Sequence, residues 1–465
     1  MTAEEKQATR SGICFSAVIS EQTSDAIGHK APQARVCEPY RRRKTSNVKD
    51  EVILMNPEQK NIDAIAAYFE AGCKSCVEKR VGIETEHFVL NDQGEPVTYE
   101  ILDAIMQELV QEGDVVVEED GHFLGYYNEE FSITLEPAAQ LEISVMPQKS
   151  VADMERILKR FYKEYGDALL HHGYHLVHAG YHPTRLAGEL SLIPKKRYEY
   201  MDAYFRHSGS RGYQMMRGTA STQVSVDYLN EADFVKKYRL ACALVPVFSL
   251  ITENSPVYEG KRSPRFLTRS YVWQDVDSIR CLIPDSAFRA DFGFQAYAAE
   301  LYGKPPILVK EGNLTRSTNT STLAEWYKDK ELTLPEIEHL ISMFFPDVRL
   351  KQYLEIRPAD SLPMPLALAY AELVRGIFYR RELLDFFADY FSGADKQNIE
   401  AAKNELMEKG YQGIVYGRPV AEVTELLFEK VLVGADESER ERMRPLYELV
   451  KRKVTPAEVL WKERV

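Results

Sequence analysis

Polar and apolar positions alternate in four short stretches of the chain. In Val81-Gly82-Ile83-Glu84-Thr85-Glu86-His87-Phe88, Glu84 and Glu86 fall on one side, because strand side chains alternate with period two. In Gln140–Val145 the polar side is Gln140, Glu142 and Ser144; in Gln223–Asp227 it is Gln223, Ser225 and Asp227. In Tyr353–Arg357 it is Tyr353, Glu355 and Arg357. Between these stretches the period changes to that of a helix. Met154, Ile157, Leu158, Phe161 and Tyr165 form one stripe of a helix over Val151–His172, which Gly173 ends. Further helices are expected from about Asn61 to Cys76, over Ile101–Gln111 and over Glu231–Thr252. Short strands are expected between Val115 and Val145, with a turn at Asp120-Gly121-His122, and another over His175–His182. From Pro365 onward the chain reads as helix-rich and turn-poor. Strands and helices without regular βαβ alternation predict an α+β fold with an antiparallel sheet. The organisation expected is a polar, flexible extension over residues 1–55, carrying Arg41-Arg42-Arg43-Lys44, then a main domain over 56–390. A helical C-terminal segment over 391–465 packs on that domain.

If the four alternating stretches share one sheet, its second face carries a cluster of carboxylates. Such charges repel unless cations hold them, and all-oxygen clusters suit hard cations such as Mg²⁺, which bridge to phosphates. The competing reading is of ordinary half-buried strands with solvated faces. Glutamate is a poor strand former, and no lysine stands inside any of the four stretches, so the metal-and-phosphate reading is preferred.

The 465 residues, 45% hydrophobic and 28% charged, suffice for a large globular core. A net charge of −13 and a pI near 5.4 argue against nucleic acid as a partner, which would favour a basic stripe. The longest apolar run, Leu240–Ile251, is too short to span a bilayer and reads as a buried helix, so no membrane association is expected. The polar Met1–Arg10 carries no secretory signal, which sets the expectation of a cytoplasmic location. Six scattered cysteines do not form a disulfide framework; Cys73-Lys-Ser-Cys76 is a lone CxxC, read as local packing ahead of a redox pair. His171, His172, His175, His178 and His182 lie close in sequence without an HExxH pattern, and a zinc site is not expected. There is no GxxxxGK[ST], no dinucleotide fingerprint and no GxSxG elbow, so a bound nucleotide would rest on metals and a sheet. Arg197 and Arg269 carry planar forks that suit a carboxylate or a phosphate, although each alone reads first as a salt-bridging residue.

In order along the chain, these motifs resemble those of the plant and proteobacterial glutamate–cysteine ligases. Arg80-Val-Gly-Ile-Glu84-Thr-Glu86 is similar to that family's first acidic strand. Leu135-Glu136-Pro-Ala-Ala-Gln140-Leu-Glu142-Ile-Ser144 is similar to its second. Pro194-Lys-Lys-Arg197-Tyr198, Met215-Met216-Arg-Gly-Thr219, Gln223-Val-Ser-Val-Asp227, Asn254-Ser255-Pro256, Arg269-Ser-Tyr-Val-Trp273 and Phe345–Asp360 follow in the family's order. Pro137-Ala138-Ala139 stands where the family has a glycine pair, and Gly218 where the plant enzymes carry arginine. The resemblance implies a curved, mainly antiparallel sheet forming a glutamine synthetase-like funnel flanked by helices. It also implies ATP-dependent joining of the glutamate γ-carboxylate, through γ-glutamyl phosphate, to the amine of cysteine. Its cofactors would be ATP and two or three Mg²⁺ ions. Glu84, Glu86, Glu142 and Glu355 are then expected to ligate metal, with Glu136 and Gln223 behind them. Arg197 and Arg357 would serve catalysis, and Arg269, Thr219, Trp273 and Arg197 would bind substrate. A direct pair between Arg357 and Glu355 is the competing reading for Arg357. The chain would act as a monomer or homodimer on glutamate, cysteine and ATP. Two alternatives stand beside this: a carboxylate–amine ligase with another acceptor amine, and a non-catalytic nucleotide- or metal-sensing homologue. A second, glutathione-forming activity is disfavoured, because little chain follows residue 390.

Overall fold

A computed structural model describes residues 57–74, 79–311, 314–318 and 321–462. The expected N-terminal extension and Cys76 lie outside the described residues. The centre of the molecule is a nine-stranded antiparallel sheet: β1 (Val81–Asn91), β2 (Val115–Glu119), β3 (His122–Tyr127), β4 (Phe131–Leu135), β5 (Leu141–Gln148), β6 (Tyr174–Val177), β7 (Ser221–Val226), β8 (Val348–Leu350) and β9 (Leu354–Asp360). The spatial order is β8-β9-β7-β1-β5-β4-β3-β2, with β6 paired to the far end of β1. The α+β class expected from the sequence holds.

Strand β1 is central because its odd-numbered side chains can be buried completely. Val81 and Ile83 join Val224, Ile143, Ile133 and Ile356 in the core. Helices cover this apolar face. They are α1 (Val151–His171), α3 (Glu231–Ile251) and α5 (Met364–Tyr379), packed on β5, β9 and β7 respectively. Between them in sequence come α2 (Lys196–Ser208) and α4 (Thr268–Trp273), and near the C-terminus lies the short α6 (Pro456–Leu460).

The long helices follow the periodicity closely. Helix α1 buries Val151, Met154, Ile157, Leu158, Phe161, Tyr165 and Leu169, and Ser150 caps it by accepting from Asp153 N at 3.2 Å. Gly173, at φ 80°, leads the chain out of it. In α3 every residue from Leu240 to Ile251 is buried, as the apolar run predicted. The first helix differs: it spans Pro57–Glu70 and stops before Cys73, since Ala71 and Gly72 turn the chain toward β1. The strand expected over His175–His182 pairs only as Tyr174–Val177; beyond it Tyr181 makes a single bridge to Thr219. Ala139, where the family has glycine, adopts φ 61° in the turn between β4 and β5.

Candidate active site

The register decides which polar groups meet. Glu86 lies directly opposite Glu142 on β5, and Glu84 is flanked by Ser144 on β5 and Gln223 on β7. On β9, Glu355 lies opposite Ser225 of β7 and Arg349 of β8. Directly opposed residues of antiparallel strands share a face. Glu84, Glu86, Glu142, Gln223 and Glu355 therefore stand on one side of the sheet, as the period-two reading predicted.

Glu84, Glu86, Glu136, Glu142 and Gln223 line a cleft with room for about 120 Å³, together with Lys195, Arg197, Arg349, Lys351 and Arg357. Arg349, opposite Glu355, shares the sheet face of the carboxylates. Burial pushes the Glu86 carboxyl up to about 7, with the Glu136 charge adding to it; Arg269 and the Ser221 hydrogen bonds act the other way. Burial raises Glu142 well above the carboxylate range, and Glu136, Glu84 and Glu86 raise it further. Glu84 is raised by burial and then by Glu355. These groups are held locally. Glu86 accepts from Ser221 N and Oγ, both at 2.8 Å, and Glu142 accepts from Ser144 Oγ at 2.9 Å and Thr134 Oγ1 at 3.1 Å. No three acidic, histidine or cysteine side chains among the described residues stand close enough together, as they are, to hold a metal ion.

Glu355 is placed differently from the other carboxylates. It is completely buried and does not line the cleft. Arg349 Nε reaches it at 2.7 Å, Lys351 Nζ at 2.9 Å and Arg357 Nη1 at 2.9 Å. Burial alone would raise this carboxyl, but Arg349, Lys351 and Arg357 hold it well below the usual range. Arg357 thus makes its direct pair with Glu355, and it also donates to Gln223 Oε1 at 2.5 Å. Arg349 and Lys351, to which the sequence reading assigned no role, form the rest of this basic cluster. Their only sequence signal was position: both lie in the motif block that holds Glu355.

Arg197, at the start of α2, is anchored to Ser342 through Nη1 on Oγ at 2.9 Å and Nη2 on the carbonyl at 3.0 Å. Lys195, one per cent exposed, lies 4.5 Å from the centre of the Tyr198 ring, whose hydroxyl donates to Glu136 Oε1 at 3.3 Å. Arg269, Thr219 and Trp273 do not line the cleft. Thr219 donates its hydroxyl to Met215 O at 2.7 Å, at the end of a short helix over 212–218. Arg269 is buried: Nη1 donates to Arg357 O at 3.0 Å, and Nε has no hydrogen-bond partner. The Trp273 ring lies 5.6 Å from the Arg269 guanidinium and 5.9 Å from that of Arg357. Beyond Glu84 the same face continues into a narrow slot lined by Gly82, Ser132, Ser144, Ser225, Pro147 and Tyr353.

The other candidates separate from this site. Among the described histidines, His87 and His178 pack ring to ring at 5.0 Å on the opposite face, while His171 and His172 are exposed. Cys73 is half-buried, and burial raises its thiol.

Residues 80–463 match the model of the glutamate–cysteine ligase family 2. The chain is 29% identical over 416 residues to glutamate–cysteine ligase B, chloroplastic, of Oryza sativa subsp. japonica, covering 85% of this chain and 82% of the relative. Its fold is similar to a crystal structure of the glutamate–cysteine ligase of Francisella tularensis in complex with AMP. The TM-score is 0.50 at 13% identity, over 83% of this chain and 85% of that one. It also resembles a bifunctional glutathione synthetase from Pasteurella multocida, with a TM-score of 0.40, 16% identity and 86% of this chain covered; it spans 48% of that longer chain. The rice, tobacco and Arabidopsis relatives are chloroplastic, which overturns the cytoplasmic location expected from the polar N-terminus. No described helix is long and apolar enough to cross a membrane.

Proposed function

The chain belongs to glutamate–cysteine ligase family 2 and is an ATP-dependent ligase that joins glutamate to cysteine; we propose that its chemistry runs in the cleft that the acidic floor and the basic cluster line together. The observation that carries this is the convergence of four carboxylates and five cations on one cleft. An all-oxygen floor fits Mg²⁺, and Glu84, Glu86, Glu136, Glu142 and Gln223 would hold it, while Glu355, outside the cleft, stays with its three cations. Bound there, the ions would offset charge on the transferred phosphoryl group.

The protein's own groups then have distinct tasks. Arg197, fixed by Ser342, and Arg357, fixed by Glu355, present guanidinium forks to the phosphoryl oxygens without reorganising. Glu355 keeps three cations packed together that would otherwise repel. The slot beyond Glu84, floored by small side chains and walled by Pro147 and Tyr353, takes the nucleoside. Arg269 recognises the glutamate carboxylate, its unpartnered Nε being a buried donor that needs an acceptor. The chain acts as a monomer or homodimer on three small molecules.

Phosphate release measured with ATP, Mg²⁺ and glutamate, with and without cysteine, tests this reading. Release that depends on both amino acids and on Glu86 and Glu142 supports it. A panel of other amines tests the acceptor: faster release with another amine would replace cysteine. Full activity of Glu142→Gln would remove the floor from the chemistry.

A further inference from the structure

Helix α6 and Trp461 lie far beyond Arg269 in sequence, yet they meet it through a short chain of buried contacts. Thr455 caps α6 and also donates its hydroxyl to Glu253 Oε2 at 2.8 Å. Ala457 N donates to Glu253 O at 3.0 Å, and Trp461 Nε1 donates to Asn254 Oδ1 at 3.0 Å. The Trp461 ring fills a small apolar cluster with Phe88, Leu90, Val177, Ala179 and Ala220, separate from the main core. Three hydrogen bonds from the end of the chain thus converge on one turn, Glu253-Asn254-Ser255, whose three residues are all buried.

That turn holds the surroundings of Arg269 from two sides. Asn254 N and Ser255 Oγ donate to Asp360 Oδ2 at 2.8 and 2.6 Å. Among the carboxylates acting on the Arg269 guanidinium, Asp360 acts most strongly, ahead of Glu86. Ser255 O accepts from the hydroxyl of Thr268, the residue before Arg269, at 3.0 Å. Gly180 closes over the same point: a Cβ there would lie 2.2 Å from Asp360 Cγ and 2.3 Å from Ser255 Oγ. The carboxylate has no room to follow if the turn moves. Leu267, at φ 51°, starts α4 in the left-handed region, so the backbone entering Arg269 is held by its surroundings and not by its own preference.

We infer that Thr455 and Trp461 are positioning residues for Arg269, acting through the 253–255 turn, Asp360 and Thr268. The inference rests on the reading of Arg269 as the glutamate-binding arginine. A displacement on the order of 1 Å in a substrate-holding group can cost a hundredfold in rate. Removing one donor from the turn is therefore expected to weaken glutamate specifically.

The test uses Trp461→Phe, which keeps the ring in its cluster but deletes the donor, and Thr455→Val, which keeps the shape but deletes the hydroxyl. Thr455→Ser restores the hydroxyl. Each is assayed in the full chain below its own unfolding temperature, beside Arg269→Lys. Expected are a rise of about tenfold in KM for glutamate for Trp461→Phe and Thr455→Val, a change of under about twofold in KM for ATP, and near-native constants for Thr455→Ser. In the Arg269→Lys background, Trp461→Phe should add less than about twofold, because the group it positions is gone. A uniform fall in kcat with both KM values unchanged, or full additivity with Arg269→Lys, marks a purely structural role and overturns the inference. If Arg269→Lys raises KM for glutamate while the two C-terminal variants do not, the positioning inference alone fails. If Arg269→Lys itself leaves that constant unchanged, the reading of Arg269 fails and takes the inference with it.

Discussion

Glu86→Gln separates what the acidic floor does for chemistry from what it costs the fold. The Glu86 carboxyl titrates near 7 in the folded protein, against an ordinary value of 4.5. A carboxyl with a raised folded pKa favours the folded state while protonated, and that advantage disappears as pH rises from the unfolded value through the folded one. Against a neutral side chain this costs the fold about 3 kcal/mol at pH 8, where the group stays ionised, and about 1 kcal/mol at pH 5, where folding must take up a proton. Glutamine removes this cost at every pH. It retains one acceptor oxygen, but Glu86 takes Ser221 N on one oxygen and Ser221 Oγ with Gln223 Nε2 on the other, so one side is lost. That loss is worth about 1 kcal/mol. The variant should therefore be about 2 kcal/mol more stable than the native chain at pH 8 in EDTA, and about equal at pH 5. Urea unfolding at the two pH values measures both, and ATP turnover should be nearly abolished throughout. Addition of Mg²⁺ at pH 8 should stabilise the native chain more than the variant. A variant less stable than the native chain at pH 8, or a difference that does not change with pH, would refute the account of the floor as repelling, desolvated carboxylates.

Four further outcomes follow from the same geometry. Arg269→Lys should weaken glutamate by roughly 2–5 kcal/mol in kcat/KM, with KM for ATP little changed, since lysine keeps charge but loses the fork; steady-state kinetics in each substrate checks it. Glu355→Gln should destabilise the fold by about 3–5 kcal/mol, because Arg349, Lys351 and Arg357 would lose their buried counter-charge; its urea midpoint should fall accordingly. Ala139→Gly should stabilise by about 0.5–1 kcal/mol in urea unfolding, by relieving the left-handed alanine. Cys73→Ser with Cys76→Ser should retain turnover under reducing conditions, since the Cys73 thiol is held protonated by burial and the neighbouring Glu70 charge; a large loss of phosphate release would show that the pair does more than pack.

Local geometry was legible in the residues alone. Period two put Glu84 and Glu86 on one face of β1, and that parity holds whatever β1 pairs with, because alternation is a property of the extended backbone. The stripe in Val151–His171 and the apolar run in Glu231–Ile251 similarly required helices that could be buried. The end of the first helix was less legible, because its apolar pattern continues past Glu70 while Ala71 and Gly72 turn the chain. Tertiary structure decided which faces meet. Only the pairing of β1 with both β5 and β7 sets Glu86 against Glu142 and Glu84 against Gln223. Only the β8–β9 hairpin brings Arg349 onto Glu355, turning an expected member of the acidic floor into the hub of the basic cluster. Parity says which side a charge faces; its partner depends on which strands pair, 56 residues along for Glu86 and Glu142 and 139 for Glu84 and Gln223. Coulomb energy depends on that distance and on burial, and both are properties of the assembled fold.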